Sequence, residues 1–266
     1  YISSYNLGSV NMYLQQRYKI GGVINTFNTA CSSGANAISY GARLIKNGLA
    51  KRALVGGTDS LAKFTINGFY SLGILSHEPC KPFDAARTGL NLGEGAAFLI
   101  LEKEEDAKGK KIYAELSSWS NTCDAFHGSS LSDDGEGPYL AMKKALEVAK
   151  LKPEQIGFIN THGTATENND EKESVAMKRL FETVPAFAST KSNIGHTLGA
   201  AGAVEAVFCL LNLQYQEVYP NLRFENAIDT TGLKPVTEYQ PMKLEHVMSN
   251  SFGFGGNCSS LIFSKA

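Results

Sequence analysis

The stretch GVINTFNTACSSGANAI, residues 22–38, decides the fold of this 266-residue chain. Its first part, residues 22–27, is short and β-branched, which predicts a buried strand that ends in a turn of small residues around Cys31. Beyond the turn, apolar residues recur at helical spacing, at Ala35, Ile38, Ala42 and Ile45. A strand that turns sharply into a helix is typical of an α/β protein.

The turn places Cys31 near a helix N-terminus. Unpaired N–H groups there stabilise a thiolate, so the position predicts a lowered pKa and a reactive thiol. The alternative is a buried cysteine that packs as a small hydrophobic residue, which is common in protein cores. The turn alone does not decide between the two interpretations.

The composition indicates a globular chain, with 43% hydrophobic residues and a formal net charge of -1. The length suffices for one large domain or two packed halves. The chain lacks the basic field of a nucleic-acid-binding protein, and we expect neither a nucleic-acid partner nor a membrane-spanning run. Its five cysteines are scattered and form no C-x-x-C pair, which argues against a disulfide framework and a metal site and favours the reducing cytoplasm.

Strand-like and helix-like segments alternate along the chain. The predicted strands are 53–55, 96–101, 112–116, 156–159, 186–188, 247–249 and 261–263, and the predicted helices are 138–150, 171–181 and 199–213. A unit of strand, polar loop and helix recurs at 23–46, 156–181 and 186–213, which suggests a duplicated architecture within one compact body.

Two histidines follow predicted strands, as Cys31 does. His162 lies in NTHGTAT, residues 160–166, and His196 ends KSNIGH, residues 191–196. Because the carboxyl ends of parallel strands share one rim, we expect both imidazoles to converge on Cys31, and a thiol with two imidazoles is typical of acyl transfer. Each histidine taken alone is more often structural. The remaining histidines, His77, His127 and His246, are predicted to be surface or structural residues.

A third element is the glycine-rich stretch NSFGFGGN, residues 250–257. Its glycines and two phenylalanines predict a gate over an apolar tunnel, with backbone N–H groups that could bind an oxyanion. The alternative is a tight connection between two strands, with the aromatic rings in the core.

Together these motifs resemble the β-ketoacyl-acyl-carrier-protein synthases, and most closely the elongating type II ketosynthases. The motifs are TACSSG at 29–34, HGTAT at 162–166, KSNIGH at 191–196, GFGG at 253–256, and KPFD at 81–84 with GEG at 93–95. The resemblance implies a homodimer with the thiolase-like five-layered α-β-α-β-α fold, built from two related halves. Residues 1–115 would be the remainder of the first half, whose N-terminal part is missing, and residues 116–266 the second half.

The resemblance also implies a reaction. Cys31 would accept an acyl group as a thioester from the phosphopantetheine arm of acyl carrier protein, so no separate cofactor would be required. His162 and His196 would promote decarboxylation of malonyl-acyl carrier protein and stabilise its enolate, which attacks the thioester. The product would be a 3-oxoacyl-acyl carrier protein, in fatty acid or related polyene or polyketide synthesis.

Further roles follow from the same resemblance. Lys191 would be an active-site lysine with Glu205 as its partner, and the N–H groups of Cys31 and Phe254 would form the oxyanion hole. The remaining roles are the gate for Phe254, pantetheine binding for Thr164 and Thr166, substrate contact for Phe252 and Gly255, and support for Asp170.

Two alternatives remain open. A thiolase would use a second cysteine near the C-terminus, and Cys258 lies there, at a position where the ketosynthases usually have asparagine. A non-catalytic chain-length partner would typically lack the nucleophile, so Cys31 counts against it. A second departure is Glu167-Asn168-Asn169, which replaces smaller residues. Because family members carry a substantial stretch upstream of the nucleophile, we expect that these 266 residues alone do not fold as an active enzyme.

Overall fold

A computed structural model describes residues 6–266, so the first five residues of the predicted half 1–115 lie outside it. The helices are α1 (Ser9–Tyr18), α2 (Ser33–Lys46), α3 (Lys63–Ser71), α4 (Glu136–Ala149), α5 (Glu167–Leu180), α6 (Lys191–Ile194) and α7 (Ala201–Tyr215). The strands are β1 (Arg52–Asp59), β2 (Gly95–Glu102), β3 (Glu115–Cys123), β4 (Phe158–Asn160), β5 (Ala186–Ala188), β6 (Glu217–Val218), β7 (Gln240–Pro241), β8 (His246–Gly253) and β9 (Asn257–Ser264).

The largest sheet has five strands in the order β3-β9-β8-β4-β5. Strand β4 runs parallel to both β5 and β8, whereas β9 is antiparallel to β3 and β8. In β8 and β9 every residue after the first is buried, because helices cover both faces of the sheet. This sheet is therefore the centre of the core.

The layers follow from the packing of the helices. Helices α4 and α5 lie on one face of the five-stranded sheet, and α2 and α7 lie on the other. Strands β1 and β2 form a separate antiparallel pair that packs against the far side of α2 and α7. The described residues thus form four layers, α-β-α-β, of the five predicted. The outer face of β1–β2 is uncovered among the described residues, with Leu54 39% and Ile100 65% exposed.

The two central helices touch at their N-termini. A Cβ built on Gly34 of α2 would lie 2.7 Å from the backbone nitrogen of Ala203, and a Cβ on Gly202 of α7 would lie 2.7 Å from that of Ala35. Only glycine allows so close an approach. The contact places the turn before α2 beside the turn before α7.

One apolar stretch corrects the expectation about membrane-spanning runs. Leu198–Tyr215 has 18 residues and a mean hydropathy of 1.3, so by length and composition it could cross a bilayer. However, 56% of the stretch is buried, and α7 packs against α2, β2 and β8. The stretch is therefore a helix of the protein core.

Most predicted elements are confirmed, and one strand is wrong. Residues 22–27 form no strand and pair with none within residues 6–266, and Val23 and Ile24 are 60% and 40% exposed. A strand needs a neighbour to satisfy its backbone groups, and the described residues supply none here. The recurring unit of strand, polar loop and helix is therefore present at 156–181 and 186–213. At 23–46 the helix is present and the strand is missing.

Candidate active site

Cys31 lies in a tight turn that its neighbours hold in place. Ala30 has a left-handed backbone with φ of 52°, and the N–H of Thr29 donates to the Ser33 hydroxyl at 2.9 Å. The Ser32 hydroxyl donates to the side-chain oxygen of Asn257, at the start of β9, over 2.6 Å. Small polar residues are therefore needed around Cys31, because they tie the turn to the five-stranded sheet.

His162 follows β4 and is fixed through its backbone. Its N–H and that of Gly163 donate to the Glu173 carboxylate, each at 2.9 Å, and the Asn250 amide donates to the same carboxylate at 3.2 Å. Burial raises the pKa of Glu173 to about 7, although these donors favour the carboxylate. Sequence reasoning missed Glu173, because a charged residue in the middle of α5 is typical of a solvated helix face.

His196 is fixed by the segment that contains the GEG motif. Its N–H donates to the carbonyl of Asn91 at 2.8 Å, and the Gly93 N–H donates to the His196 carbonyl at 2.9 Å. The imidazole Nδ1 accepts the N–H of Leu198 at 3.2 Å. The other ring nitrogen, Nε2, is buried and has no hydrogen-bond partner among residues 6–266.

Lys191 and Glu205 form a buried ion pair, as the sequence predicts, and each side chain is 2% exposed. The Lys191 ammonium also donates to the His162 carbonyl at 2.6 Å and lies 3.3 Å from Nδ1 of the same histidine. A buried ammonium therefore neighbours the imidazole while its charge is balanced by the Glu205 carboxylate.

The predicted convergence of the three groups is confirmed. The Cys31 sulfur and one nitrogen each of His162 and His196 all lie within 4.8 Å of one another. The two imidazole rings meet edge to face, with their centroids 5.3 Å apart. Such a triangle could also hold a metal ion by distance alone, since thiolate and imidazole are metal ligands.

Both imidazoles are neutral near pH 7. Burial lowers the pKa of His162 and of His196 well below the usual value, and the nearby Lys191 ammonium lowers both further. In each ring Nδ1 faces a donor, which assigns the proton to Nε2. The site therefore offers two neutral N–H donors rather than two acids.

The Cys31 thiol does not have the lowered pKa that its position suggests. Burial raises its pKa to about 11, although the Lys191 ammonium and the backbone N–H groups of Phe254 and Cys31 act in the opposite direction. That prediction is wrong, because the loss of water around the thiolate outweighs the helix N-terminus and the nearby charge. The two N–H groups nevertheless lie close enough to the sulfur to favour its thiolate.

The three groups face a cavity of about 460 Å³. Thr164 and Thr166 line it, with their hydroxyls 2.8 Å apart, and Phe252 lines it with its ring centroid 5.7 Å from that of His162. Phe254 is 37% exposed and stacks on Phe69 with a centroid distance of 6.1 Å. Phe254 and Phe69 both line the cavity, and Phe254 is the residue predicted to be its gate.

Asp170, predicted to support the site, and Gly255, predicted to contact substrate, lie in different surroundings. Asp170 lies beneath the threonine loop, where its carboxylate accepts the N–H of Ala165 at 3.1 Å and that of Phe83 at 2.7 Å. Gly255 is not on the cavity wall, and its N–H donates to the Gly128 carbonyl at 2.8 Å. The structure therefore does not support substrate contact by Gly255, since its donor is already used.

Cys258 lies away from the cavity. It is fully buried on β9 in a small apolar cluster with Leu131, Ala141 and Phe252, and burial raises the pKa of its thiol. Its sulfur donates to the Gly256 carbonyl at 3.5 Å. The other three histidines are also absent from the cavity wall.

The layered fold and the Cys–His–His cluster define a thiolase-like α/β protein with a thiol-centred site. The chain belongs to the β-ketoacyl synthase family: residues 10–107 match the "Beta-ketoacyl synthase, N-terminal domain" and residues 113–225 the "Beta-ketoacyl synthase, C-terminal domain". The two matches together cover most of the sequence. The division at residue 115 remains a prediction.

Individual relatives agree with this assignment. The chain is 38% identical to the mitochondrial 3-oxoacyl-[acyl-carrier-protein] synthase of Arabidopsis thaliana, over 96% of this chain and 59% of that protein. A ketosynthase in complex with its chain length factor from Xenorhabdus doucetiae is 39% identical, with a TM-score of 0.91 over 98% of this chain and 65% of that one.

A type II PKS acyl-carrier protein in complex with its ketosynthase bound to the hexaketide gives a TM-score of 0.96 at 29% identity, over 100% of this chain and 68% of that one. The predicted thiolase-like fold class is thereby confirmed. The chain spans 59–64% of the length of the first curated relatives it matches.

Proposed function

We propose that this chain carries the condensing centre of an elongating β-ketoacyl-acyl-carrier-protein synthase, and that acyl carrier protein is its partner. The observation that carries the proposal is the triangle of Cys31, His162 and His196 within 4.8 Å, facing a cavity of about 460 Å³. The names of the relatives, which refer to acyl-carrier-protein synthases and a carrier complex, support the substrate class.

In the first step the Cys31 sulfur attacks the thioester of an acyl-acyl carrier protein. The acyl group moves to Cys31, and the proton of the thiol leaves with the pantetheine thiol, so the exchange needs no net proton uptake. The N–H groups of Cys31 and Phe254 would stabilise the oxyanion formed during the attack, because both lie beside the Cys31 sulfur. Thr164 and Thr166 would hold the pantetheine arm.

In the second step malonyl-acyl carrier protein loses carbon dioxide. The electron pair of the broken carbon–carbon bond moves into the thioester and forms an enolate, which the Nε2–H groups of His162 and His196 would bind. The unpartnered Nε2 of His196 supports this role, because a buried donor without a partner is costly until a ligand accepts its hydrogen bond. The enolate carbon then attacks the carbonyl carbon of the Cys31 thioester, and Cys31 leaves as the thiolate.

Lys191 would keep both imidazoles neutral through its charge and hold the tautomer of His162. Its positive charge beside the triangle also argues against a divalent metal ion there, because the ion and the ammonium would repel each other. We therefore propose a reaction that needs no metal and no cofactor besides the pantetheine arm.

Neither alternative function gains support from the site. A thiolase would need Cys258 in the cavity, and that thiol lies in the apolar core instead. A non-catalytic chain-length partner would not need the buried Lys191–Glu205 pair beside a thiol and two imidazoles.

We also propose a homodimer in the cytoplasm. Residues 22–27 support the dimer, because Val23 and Ile24 are exposed and the segment, which pairs with no strand among the described residues, could pair with a second copy. The free cysteines of the described residues support a reducing compartment.

The test measures carbon dioxide release and product formation with malonyl-acyl carrier protein and an acyl thioester. His196→Ala should lower the rate about 100- to 1,000-fold, because it removes one of two enolate donors. Cys258→Ser is the matched control and should keep the rate within about threefold. Loss of activity in Cys258→Ser with retention in His196→Ala would support the thiolase alternative.

A further inference from the structure

Asn168 binds the backbone of one distant residue on the cavity wall. Its side-chain oxygen accepts the N–H of Leu131 at 2.8 Å, and its amide nitrogen donates to the Leu131 carbonyl at 3.2 Å. An amide side chain has both a donor and an acceptor, so it can pair with both backbone groups of one residue as a strand neighbour would. Aspartate could make only one of these bonds, and alanine neither.

Leu131 belongs to the segment 124–134, here called the strap, which joins β3 to α4 and runs along the cavity. Ser129, Ser130 and Leu131 of the strap line the cavity, as Asn168 itself does. The Leu131 side chain is 7% exposed and packs in the cluster that contains Phe252, whose ring contacts His162. A movement of Leu131 would therefore change the shape of the cavity near the triangle.

Other hydrogen bonds hold the strap on either side of Leu131, one of them at the next residue, Ser132. The Asp124 carboxylate accepts the N–H of Ser132 at 2.6 Å, and Arg179 donates to the Asp134 carbonyl at 2.6 Å, so the two ends of the strap are anchored. The Gly128 carbonyl accepts the Gly255 N–H, which links the middle of the strap to the glycine-rich turn. Asn168 is the tie that holds the cavity-facing residue Leu131 to α5.

We propose that Asn168 is a specificity-determining residue, which sets the size of the acyl group that reaches Cys31 by holding Leu131 on the cavity wall. As a statement about acyl groups, this inference rests on the function proposed above. The tie itself and its effect on access to the Cys31 thiol are independent of that function. Asn168 of the stretch Glu167-Asn168-Asn169 would thereby have a role.

The test uses two alkylating probes of different length, iodoacetamide and N-dodecyl iodoacetamide, on the purified protein. The rate of Cys31 alkylation is followed by peptide mass spectrometry. In Asn168→Ala the ratio of the long-probe rate to the short-probe rate should rise roughly fivefold, as expected when hydrogen bonds of ordinary strength no longer hold Leu131. In Asn168→Asp, which keeps one bond, the rise should be smaller, and in the control Asn47→Ala the ratio should not change.

Hydrogen exchange at the Leu131 amide provides a second readout. Exchange should be roughly tenfold faster in Asn168→Ala than in the wild type, because the acceptor of that N–H is lost. An unchanged exchange rate, or an unchanged probe ratio in folded Asn168→Ala and Asn168→Asp, would overturn the proposal. If condensation is absent in the wild type while both readouts shift as expected, the proposed function fails and the role of Asn168 in access stands.

Discussion

The two sheets of this molecule support the site unequally. The five-stranded sheet has helices on both faces and carries the segments with His162, Lys191 and His196, whereas β1–β2 has one covered face among the described residues and an exposed apolar one. Cys31 belongs to neither sheet and is held by the start of α2, by Asn257 and by the contact between α2 and α7. The rigid frame of the site is therefore the second half of the chain together with the central helices.

The largest expected effect concerns the ion pair on this frame. Lys191→Met leaves the Glu205 carboxylate buried without a partner, so the free energy of unfolding should fall by about 3–5 kcal/mol. The double variant Lys191→Met/Glu205→Gln removes the unpaired charge and should recover most of that loss. Urea unfolding measures both proteins, and equal losses in the single and double variants would contradict the assignment.

A matched pair of leucines tests the comparison directly. Leu261→Ala in β9 removes a fully buried side chain, so unfolding should become easier by about 2–5 kcal/mol. Leu54→Ala in β1 removes a side chain that is 39% exposed on the uncovered face, so the loss should stay below about 1 kcal/mol. Urea unfolding compares the two variants. Similar losses of unfolding free energy in the two variants would show that the outer face of β1–β2 is covered in the protein that is measured.

A smaller effect concerns pH and the carboxylate that positions His162. Burial raises the pKa of Glu173 to about 7 from its ordinary 4.5, so the folded state binds this proton more tightly than the unfolded state does. The stabilisation is complete below pH 4.5 and is lost as the pH rises through 7. Glu173→Gln cannot titrate at this position. As the pH rises from 4.5 to 8, its free energy of unfolding should therefore increase by up to about 3 kcal/mol relative to that of the wild type.

The neighbouring Asp170 is present in both proteins, so its titration largely cancels in that difference. Urea unfolding of the wild type and Glu173→Gln at several pH values gives the curve. Parallel stability curves would show that Glu173 has an ordinary pKa in the folded protein.

Much of the fold could be predicted because local patterns carry it. Residues 186–188 form the predicted strand with the predicted bounds, and the segments after β4 and β5 bring His162 and His196 together as the rule of a shared rim predicts. Cys31 joins them from a turn that follows no strand. Residues 22–27 show the limit of such patterns. Their β-branched sequence favours a strand, yet a strand also needs a partner, which the sequence of the segment does not specify.

The electrostatics could not be predicted in the same way. A helix N-terminus is visible in the sequence, but the burial that raises the pKa of Cys31 arises only when distant parts of the chain pack around the turn. Glu173 is a similar case. Its charge is visible in the sequence, whereas its hydrogen bonds to the backbone of His162 and Gly163 exist only in the folded protein.

The reciprocal contact of Gly34 with Ala203 and of Gly202 with Ala35 constrains how this sequence can change. A side chain larger than hydrogen at either glycine pushes against the backbone of the opposite helix, so it is tolerated only if that helix shifts as well. The two halves of the chain therefore cannot diverge independently at this point. The distance between the thiol of Cys31 and the imidazole of His196 therefore depends on these two glycines, even when residues in the sheets change.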